Sequence, residues 1–209
     1  MGAETLNVLA IGFFSRETSR GLEWFTGPTA SLAAVFPIAI KHFNERDGRI
    51  IPQFASRTCS NLTIDLLEYV DDQGSPAPAT QRLVAVQNKH PIDVIIGPVR
   101  SVVAQPIAVT ASALKIPVVS HWATIPDLAN KQTYPYFSRT CPSDDARAVL
   151  LVDLLVNFGY KKFGMLYVND NFGIGWRNAV ISACDERNID VVTAAYDDAT
   201  GPILQRGKF

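Results

Sequence analysis

The sequence predicts an α/β fold built on a doubly wound parallel sheet. Two observations carry that expectation. Apolar runs of strand length alternate with stretches of helical periodicity, the pattern of a parallel sheet with helices packed on it. One of the runs, Asp93–Pro98, reads D-V-I-I-G-P and turns at once into an alanine-rich helix. Continuous apolar character fits a strand covered on both faces, and the helix start gathers unpaired N–H groups that suit a carboxylate or phosphate.

Asn7–Phe14 is the first expected strand. Pro28–Glu45 follows as a helix, with Leu32, Val35, Phe36, Ala39, Ile40 and Phe43 on one face, a kink at Pro37 and a stop at Asp47-Gly48. Thr63–Val70 is a strand, Asp71–Pro78 is turn-rich, and Ala79–Lys89 is a short amphipathic helix with Ala79, Leu83 and Val86 inward. Asp93–Gly97 is a strand, Ser101–Leu114 a helix that Pro106 enters or bends, and Ile116–Ser120 a strand. Pro135–Pro142 is extended and bounded by prolines, so it reads as a crossover into a second α/β unit. There Ser143-Asp144-Asp145 starts a helix over Asp145–Phe158, apolar almost all round and so expected to be buried on more than one side. Lys162–Val168, Gly175–Arg187 and Ile189–Tyr196 complete a strand, helix and strand. Two strands make a poor independent domain, and Gly201–Phe209 adds no closing element, so the second unit reads as truncated.

Composition narrows the function classes. The 209 residues are 47% hydrophobic with a net charge of −1, an ordinary globular balance. No stretch concentrates Lys or Arg, which argues against nucleic acid as a partner. No run is long and apolar enough to span a bilayer. Val8–Phe14 is too short and too acidic in its approach to be a secretory signal. Cys59, Cys141 and Cys184 are an odd set without metal-type spacing. Cys184 reads as a small buried apolar residue, and Asn61-Leu62-Thr63, beside Cys59, has the form of an N-glycosylation acceptor.

The usual catalytic patterns are missing: no nucleophile elbow, phosphate loop, zinc-protease motif or paired-cysteine site is present. Ser112-Ala113-Leu114-Lys115 has no partner motifs, and Gly173-Ile174-Gly175 lacks the rest of a dinucleotide fingerprint. His42, His90 and His121 are widely separated; the first two read as solvated helix-end residues. No catalytic residue, metal site or cofactor is therefore expected. What remains are the loops at the carboxyl ends of strands, where open α/β sheets bind ligands. They carry Ser15, Arg100-Ser101, His121-Trp122-Ala123-Thr124 and Asn169–Gly173. These residues also have ordinary readings: Ser101 as a helix cap, Trp122 and Phe172 as packing residues.

Ala39-Ile40-Lys41-His42-Phe43-Asn44, Ile95-Ile96-Gly97-Pro98 and Ile116-Pro117 with Ala123-Thr124 resemble the type I periplasmic binding-protein fold. So do Tyr134–Thr140, Pro142-Ser143-Asp144 and Asn171-Phe172-Gly173. More closely, they resemble the receptor-family ligand-binding region of class C G-protein-coupled receptors, ionotropic glutamate receptors and natriuretic peptide receptors, from about Leu6 to Asp198. The resemblance implies a bilobed clamshell: a nearly complete first lobe over residues 5–134, an interlobe crossover over 135–142, and a truncated second lobe over 143–209. It implies a non-enzymatic fragment of a membrane signalling receptor, on the extracellular face, that closes on an amino acid or related carboxylate. The implied partners are that small molecule, a transmembrane or signalling domain absent from this chain, and a second chain in a receptor dimer. A soluble solute-binding protein of a transporter and, further off, a small α/β enzyme are the competing readings. By resemblance, Ser101 with the neighbouring backbone, Ala123 and Thr124 grip the ligand, and Phe172 covers it; Ser15 and Trp122 lie in the same loops. Val102, where amino-acid binders place a hydroxyl, Phe172 in place of a tyrosine, and the added charge of Arg100 depart from the family pattern.

Overall fold

A computed structural model describes residues 4–18, 21–24, 28–56 and 61–197, with side chains described outside 16–32. The chain forms two compact units. The first draws on Met1–Trp122 and Tyr136–Thr140, the second on Ala123–Pro135 and Cys141–Phe209.

The first unit is a five-stranded sheet. Strand β1 (Glu4–Gly12) is followed by a short antiparallel ribbon of β2 (Ser15–Thr18) and β3 (Gly21–Trp24), then by helix α1 (Pro28–Glu45). Strand β4 (Leu62–Asp71), helix α2 (Pro76–Gln87), strand β5 (Val94–Ile96), helix α3 (Ser101–Leu114) and strands β6 (Val118–Ser120) and β7 (Phe137–Arg139) follow. The sheet order is β4-β1-β5-β6-β7, and every neighbouring pair is parallel. Val8, Leu9, Ala10 and Ile11 are all buried, as the interior strand β1 should be when helices cover both faces. Ala79, Leu83 and Val86 of α2 are buried, as expected, together with Val103, Ala104, Ile107 and Ala108 of α3.

The structure corrects or refines several readings. Pro135–Pro142 contains β7, the fifth strand of the first sheet, which donates and accepts along β6 from Val118 to Ser120. Its short apolar content, Phe137 alone being buried, hid it among prolines. Ser15 lies at the start of the β2–β3 ribbon, which has no apolar alternation to announce it. His42 is only 14% exposed and faces Asp47 at 3.8 Å, so it is not a solvated helix end. Pro37 and Pro106 each sit inside a single continuous helix.

The second unit contains a 3-10 turn (Pro126–Ala129), helix α4 (Asp144–Asn157), strand β8 (Lys162–Val168), helix α5 (Asn171–Asp185) and strand β9 (Asp190–Tyr196). β8 and β9 pair in parallel along their whole lengths. Its core joins Ala148 and Val152 of α4 to Val180, Ala183 and Cys184 of α5 and to Ile189. Cys184 is fully buried, as its place in the sequence suggested. Helix α4 departs from expectation: Leu150 and Phe158 are 68% and 69% exposed, and Leu154 is half exposed. The apolar contacts of α4 with the core come from Ala148 and Val152, with Val149, Leu151 and Leu155 packed beside them. Cys59 and Gly201–Phe209 lie outside the described residues.

Candidate functional site

The strand order reverses direction at β1. From β1 the chain moves to β4 on one side and then to β5 on the other. Such a switch point parts the loops at the strands' carboxyl ends and leaves a crevice between them, where open α/β sheets bind ligands. Here those loops are Phe13–Ser15 after β1 and Gly97–Ser101 after β5, flanked by Asp72–Ser75 and Ser120–Trp122.

The backbone is drawn tight at this edge. Gly97 has φ +101°, and a Cβ there would stand 2.0 Å from the Ile11 carbonyl oxygen. Only glycine fits so close a crossing of β1 and the β5 turn. Asp71 ties two loops together: its Oδ1 accepts from the backbone N–H groups of Phe14 (3.0 Å), Ser15 (3.3 Å) and Gln73 (3.1 Å). Its Oδ2 accepts from the Ser15 hydroxyl. Ser15 is thus fully buried and its hydroxyl is engaged as a loop staple. Ser120, also fully buried, donates to the Pro98 carbonyl (2.7 Å) and accepts from the Trp122 N–H (3.3 Å), joining the β5 and β6 loops.

Beside these staples stand Arg100 and Asp72. The Arg100 guanidinium lies 5.2 Å from the centre of the Phe13 ring, a cation–π contact. Gly74 has φ +72°, and a Cβ there would stand 2.8 Å from the Phe13 ring and 3.0 Å from Arg100 Nη1, so a side chain would be strained and crowded. The Gly74 N–H donates to Asp72 Oδ1 at 2.7 Å. Asp72 is completely buried, and its Oδ2 has no hydrogen-bond partner among the described residues. Burial is the main cause that pushes its carboxyl up to about 7; Asp71 adds to the rise, while the Gly74 N–H and Arg100 oppose it. Burial also lowers the pKa of His121, whose Nε2 is buried with no hydrogen-bond partner among the described residues.

Ser101 is buried at the first position of α3, and Arg100 occupies the N-cap position, so Ser101 is not a cap. Val102 is partly buried beside it. Trp122 is 57% exposed. These three, with Ser15 and Arg100, belong to the first unit.

Ala123, Thr124 and Phe172 belong to the second. Ala123 and Thr124 are buried. The Thr124 hydroxyl donates to Asp144 Oδ2 (2.8 Å), and the Asp144 N–H donates to the Thr124 carbonyl (3.0 Å). Arg147 Nη1 donates to Asp144 Oδ1 (2.9 Å) and its guanidinium lies 5.3 Å from the Trp176 ring centre. Phe172 is 39% exposed in the first turn of α5, whose N-cap Asp170 accepts from the Gly173 N–H at 2.8 Å. Gly173 is obligatory: a Cβ would sit 1.9 Å from the Val168 carbonyl oxygen.

Sequence reasoning missed Asp71, Asp72 and Phe13 in the first unit and Asp144 in the second. Asp71-Asp72-Gln73-Gly74 directly after a strand was the available signal, read only as a turn. Among the described residues no cluster of three or more His, Cys, Asp or Glu side chains could hold a metal ion, and no helix is long and apolar enough to cross a membrane. A cavity of about 410 Å³ between α1 and β4 is lined by Pro37, Ile40 and Leu66 among others, away from these loops.

The chain matches the receptor family ligand binding region over residues 32–206. It belongs to that family. Among curated proteins it is 36% identical over 92 residues to "Glutamate receptor 3.1" of Oryza sativa subsp. japonica, covering 44% of this chain and 9% of that protein. It is 40% identical over 92 residues to "Glutamate receptor 3.7" of Arabidopsis thaliana, covering 44% and 10%. With the "Probable metabotropic glutamate receptor mgl-1" of Caenorhabditis elegans it shares 32% identity over 128 residues, covering 56% and 13%. The chain thus spans about a tenth of the length of these relatives.

Proposed function

We propose that this chain is the ligand-binding part of a membrane signalling receptor, without catalytic activity, that binds an amino acid or related carboxylate. The observation that carries the proposal is the switch point of the first sheet. There a helix start, with its positive dipole end, is joined by the Arg100 guanidinium and flanked by stapled loops. Three features favour an anionic group: fixed positive charge, oriented backbone donors and a rigid surround. None of them supplies a nucleophile with an adjacent base, so the site holds a ligand without turning it over. Membership of a receptor family and similarity to proteins named as glutamate receptors support this reading.

In this proposal residues 5–134 and 143–209 serve as two lobes joined through 135–142, and the ligand sits in a cleft between them. Ser101, Val102, Arg100, Trp122, Ala123 and Thr124 contribute from the first lobe, with Ser15 behind them as a staple; Phe172 contributes from the second. A ligand that binds the closed arrangement better shifts the population toward it, and a transmembrane or signalling domain reads the change. The parent protein places the region on the extracellular face, where Asn61 carries an N-linked glycan and two receptor chains pair. Asn61 is exposed at the turn before β4, a place where a glycan meets no core.

Calorimetry of the chain against a panel of amino acids and dicarboxylates tests the site. Binding of at least one carboxylate is expected, and Ser101→Ala should weaken it by about 1.5–3 kcal/mol, the worth of a hydrogen bond to a charged group. Thr124→Ala should weaken it comparably, with a melting scan to separate loss of binding from loss of the Asp144 contact. Unchanged affinity in both variants removes these residues from the site.

A further inference from the structure

We propose that β8 is a self-pairing edge, along which two copies of this chain join antiparallel with Leu166 of each copy set opposite Gly164 of the other. The seam lies in the second unit and does not depend on the proposed ligand site.

Among the described residues β8 has a strand on one side only, where β9 runs parallel to it. Two hydrogen bonds fix which backbone groups that ladder uses. The Asp190 N–H donates to the Lys161 carbonyl (3.0 Å), and the Asn169 N–H donates to the Tyr196 carbonyl (2.8 Å). Backbone groups alternate in direction along a strand, so Lys161, Phe163, Met165, Tyr167 and Asn169 turn theirs toward β9. Those of Lys162, Gly164, Leu166 and Val168 therefore point to the open edge. An edge of this kind is a template for another strand. The side chains of the same four residues share one face of the sheet. That face is apolar and open: Leu166 is 61% exposed, and Val192, in register with Gly164 on β9, is 46% exposed. Phe163, Met165 and Val191, on the other face, pack on the core of α4 and α5.

Three features select a second copy as the occupant. The first is register. A two-fold axis through Met165 sets Gly164 opposite Leu166 and Lys162 opposite Val168, and all four carry outward backbone groups, as antiparallel bonding requires. The second is shape. Nothing stands within 4 Å of a Cβ at Gly164, so the glycine leaves the space that Leu166 of the other copy needs. The third is charge. Lys161 and Lys162 begin the strand; Asp170 follows its end, with Asp197 beside it accepting from the Asn169 amide (3.0 Å). Asp190 lies on β9, one strand further from the seam. Antiparallel pairing brings the lysine end of each copy beside the acidic end of the other, whereas parallel pairing would set lysine against lysine.

Sedimentation velocity of the full chain over a dilution series should show a reversible equilibrium between monomer and dimer. Leu166→Lys should raise the dissociation constant about tenfold or more. Val109→Lys, at a half-exposed apolar position of α3, should leave it within about twofold. Amide hydrogen exchange gives a reading that needs no variant. The N–H groups of Lys162, Gly164, Leu166 and Val168 should exchange fast in dilute solution and slow down as the dimer forms. Those of Phe163, Met165 and Tyr167 should be protected at both concentrations. A chain that stays monomeric when concentrated overturns the proposal, as does a dimer that Leu166→Lys leaves intact or that Val109→Lys weakens equally. Outward amides already protected in the monomer, the mark of an edge covered by residues 198–209 of the same chain, overturn it too.

Discussion

The carboxamide of Asn44 pairs with both backbone polar groups of Ile64: its Nδ2 donates to the Ile64 carbonyl and its Oδ1 accepts from the Ile64 N–H, each at 2.8 Å. β4 is the outer strand of the first sheet, and at Ile64 a side chain from α1 takes the place of a neighbouring strand. An open strand edge is a template for pairing with another chain, so this contact both anchors α1 and closes part of that edge. Asn44→Ala should destabilise the first unit by about 1–3 kcal/mol, because two part-buried backbone groups lose their partners. Asn44→Asp, which keeps the acceptor and loses the donor, should cost less than Asn44→Ala at neutral pH. Urea unfolding of the three chains checks the order.

Glycine substitutions should separate into two sharply different classes. Gly97→Ala and Gly173→Ala each drive a Cβ to within 2.0 Å of a carbonyl oxygen, at Ile11 and Val168. Neither backbone can yield without breaking its strand, so a cost of several kcal/mol, well above the usual single substitution, is expected. Gly164→Ala, with nothing within 4 Å of its Cβ, should instead be neutral or stabilise by up to about 1 kcal/mol. Expression yield and thermal melting of the three variants distinguish these outcomes.

Thr124→Val keeps shape and removes one donor. The Asp144 Oδ2 atom that accepts from Thr124 belongs to a side chain with no exposure, whereas Arg147, which donates to its Oδ1, is half exposed. The change should cost about 1–3 kcal/mol, and Thr124→Ser, which retains the hydroxyl, should recover most of it. Equal stability of the Val and Ser variants in chemical denaturation is the outcome that contradicts this.

Asp72 gives the stability of the chain a definite slope with pH. Its carboxyl is raised in the folded state from 3.8 to about 7, so the folded chain binds the proton more tightly than the unfolded one. The contribution is fully present below the unfolded value of 3.8 and is lost as pH rises through about 7. Each unit of difference corresponds to about 1.4 kcal/mol. Subtracting the stability profile of Asp72→Asn from that of the native chain should therefore leave a decline between these two pH values. A difference that is flat, or that rises with pH, contradicts the burial of an uncompensated carboxyl.

Periodicity and apolar run length made the strand–helix alternation readable, because both depend on neighbours along the chain. α1 and α3 have the bounds expected, and the D-V-I-I-G-P turn stands where its residues put it. The site was readable only as a set of loops. Ser15 was chosen for its hydroxyl at a strand end, but that hydroxyl is spent on Asp71, 56 residues away. Ser101 was weighed as a cap, yet Arg100 occupies the capping position. Helix α4 shows the same limit: its apolar residues are plain in the sequence, but which of them find a partner depends on the elements packed against it.

By itself the sequence determined the parallel α/β character, the turn that opens α3, and the family to which the chain belongs. Only the tertiary structure decided that β7 joins the first sheet and that β1 marks the switch point. It alone put Arg100 on Phe13 and left Asp72 buried with an oxygen that has no partner among the described residues. The physical reason is one of range. Strand and helix propensities are local and repeat along the chain, whereas burial, charge proximity and hydrogen-bond partnership are set by residues that meet only after the sheet has formed.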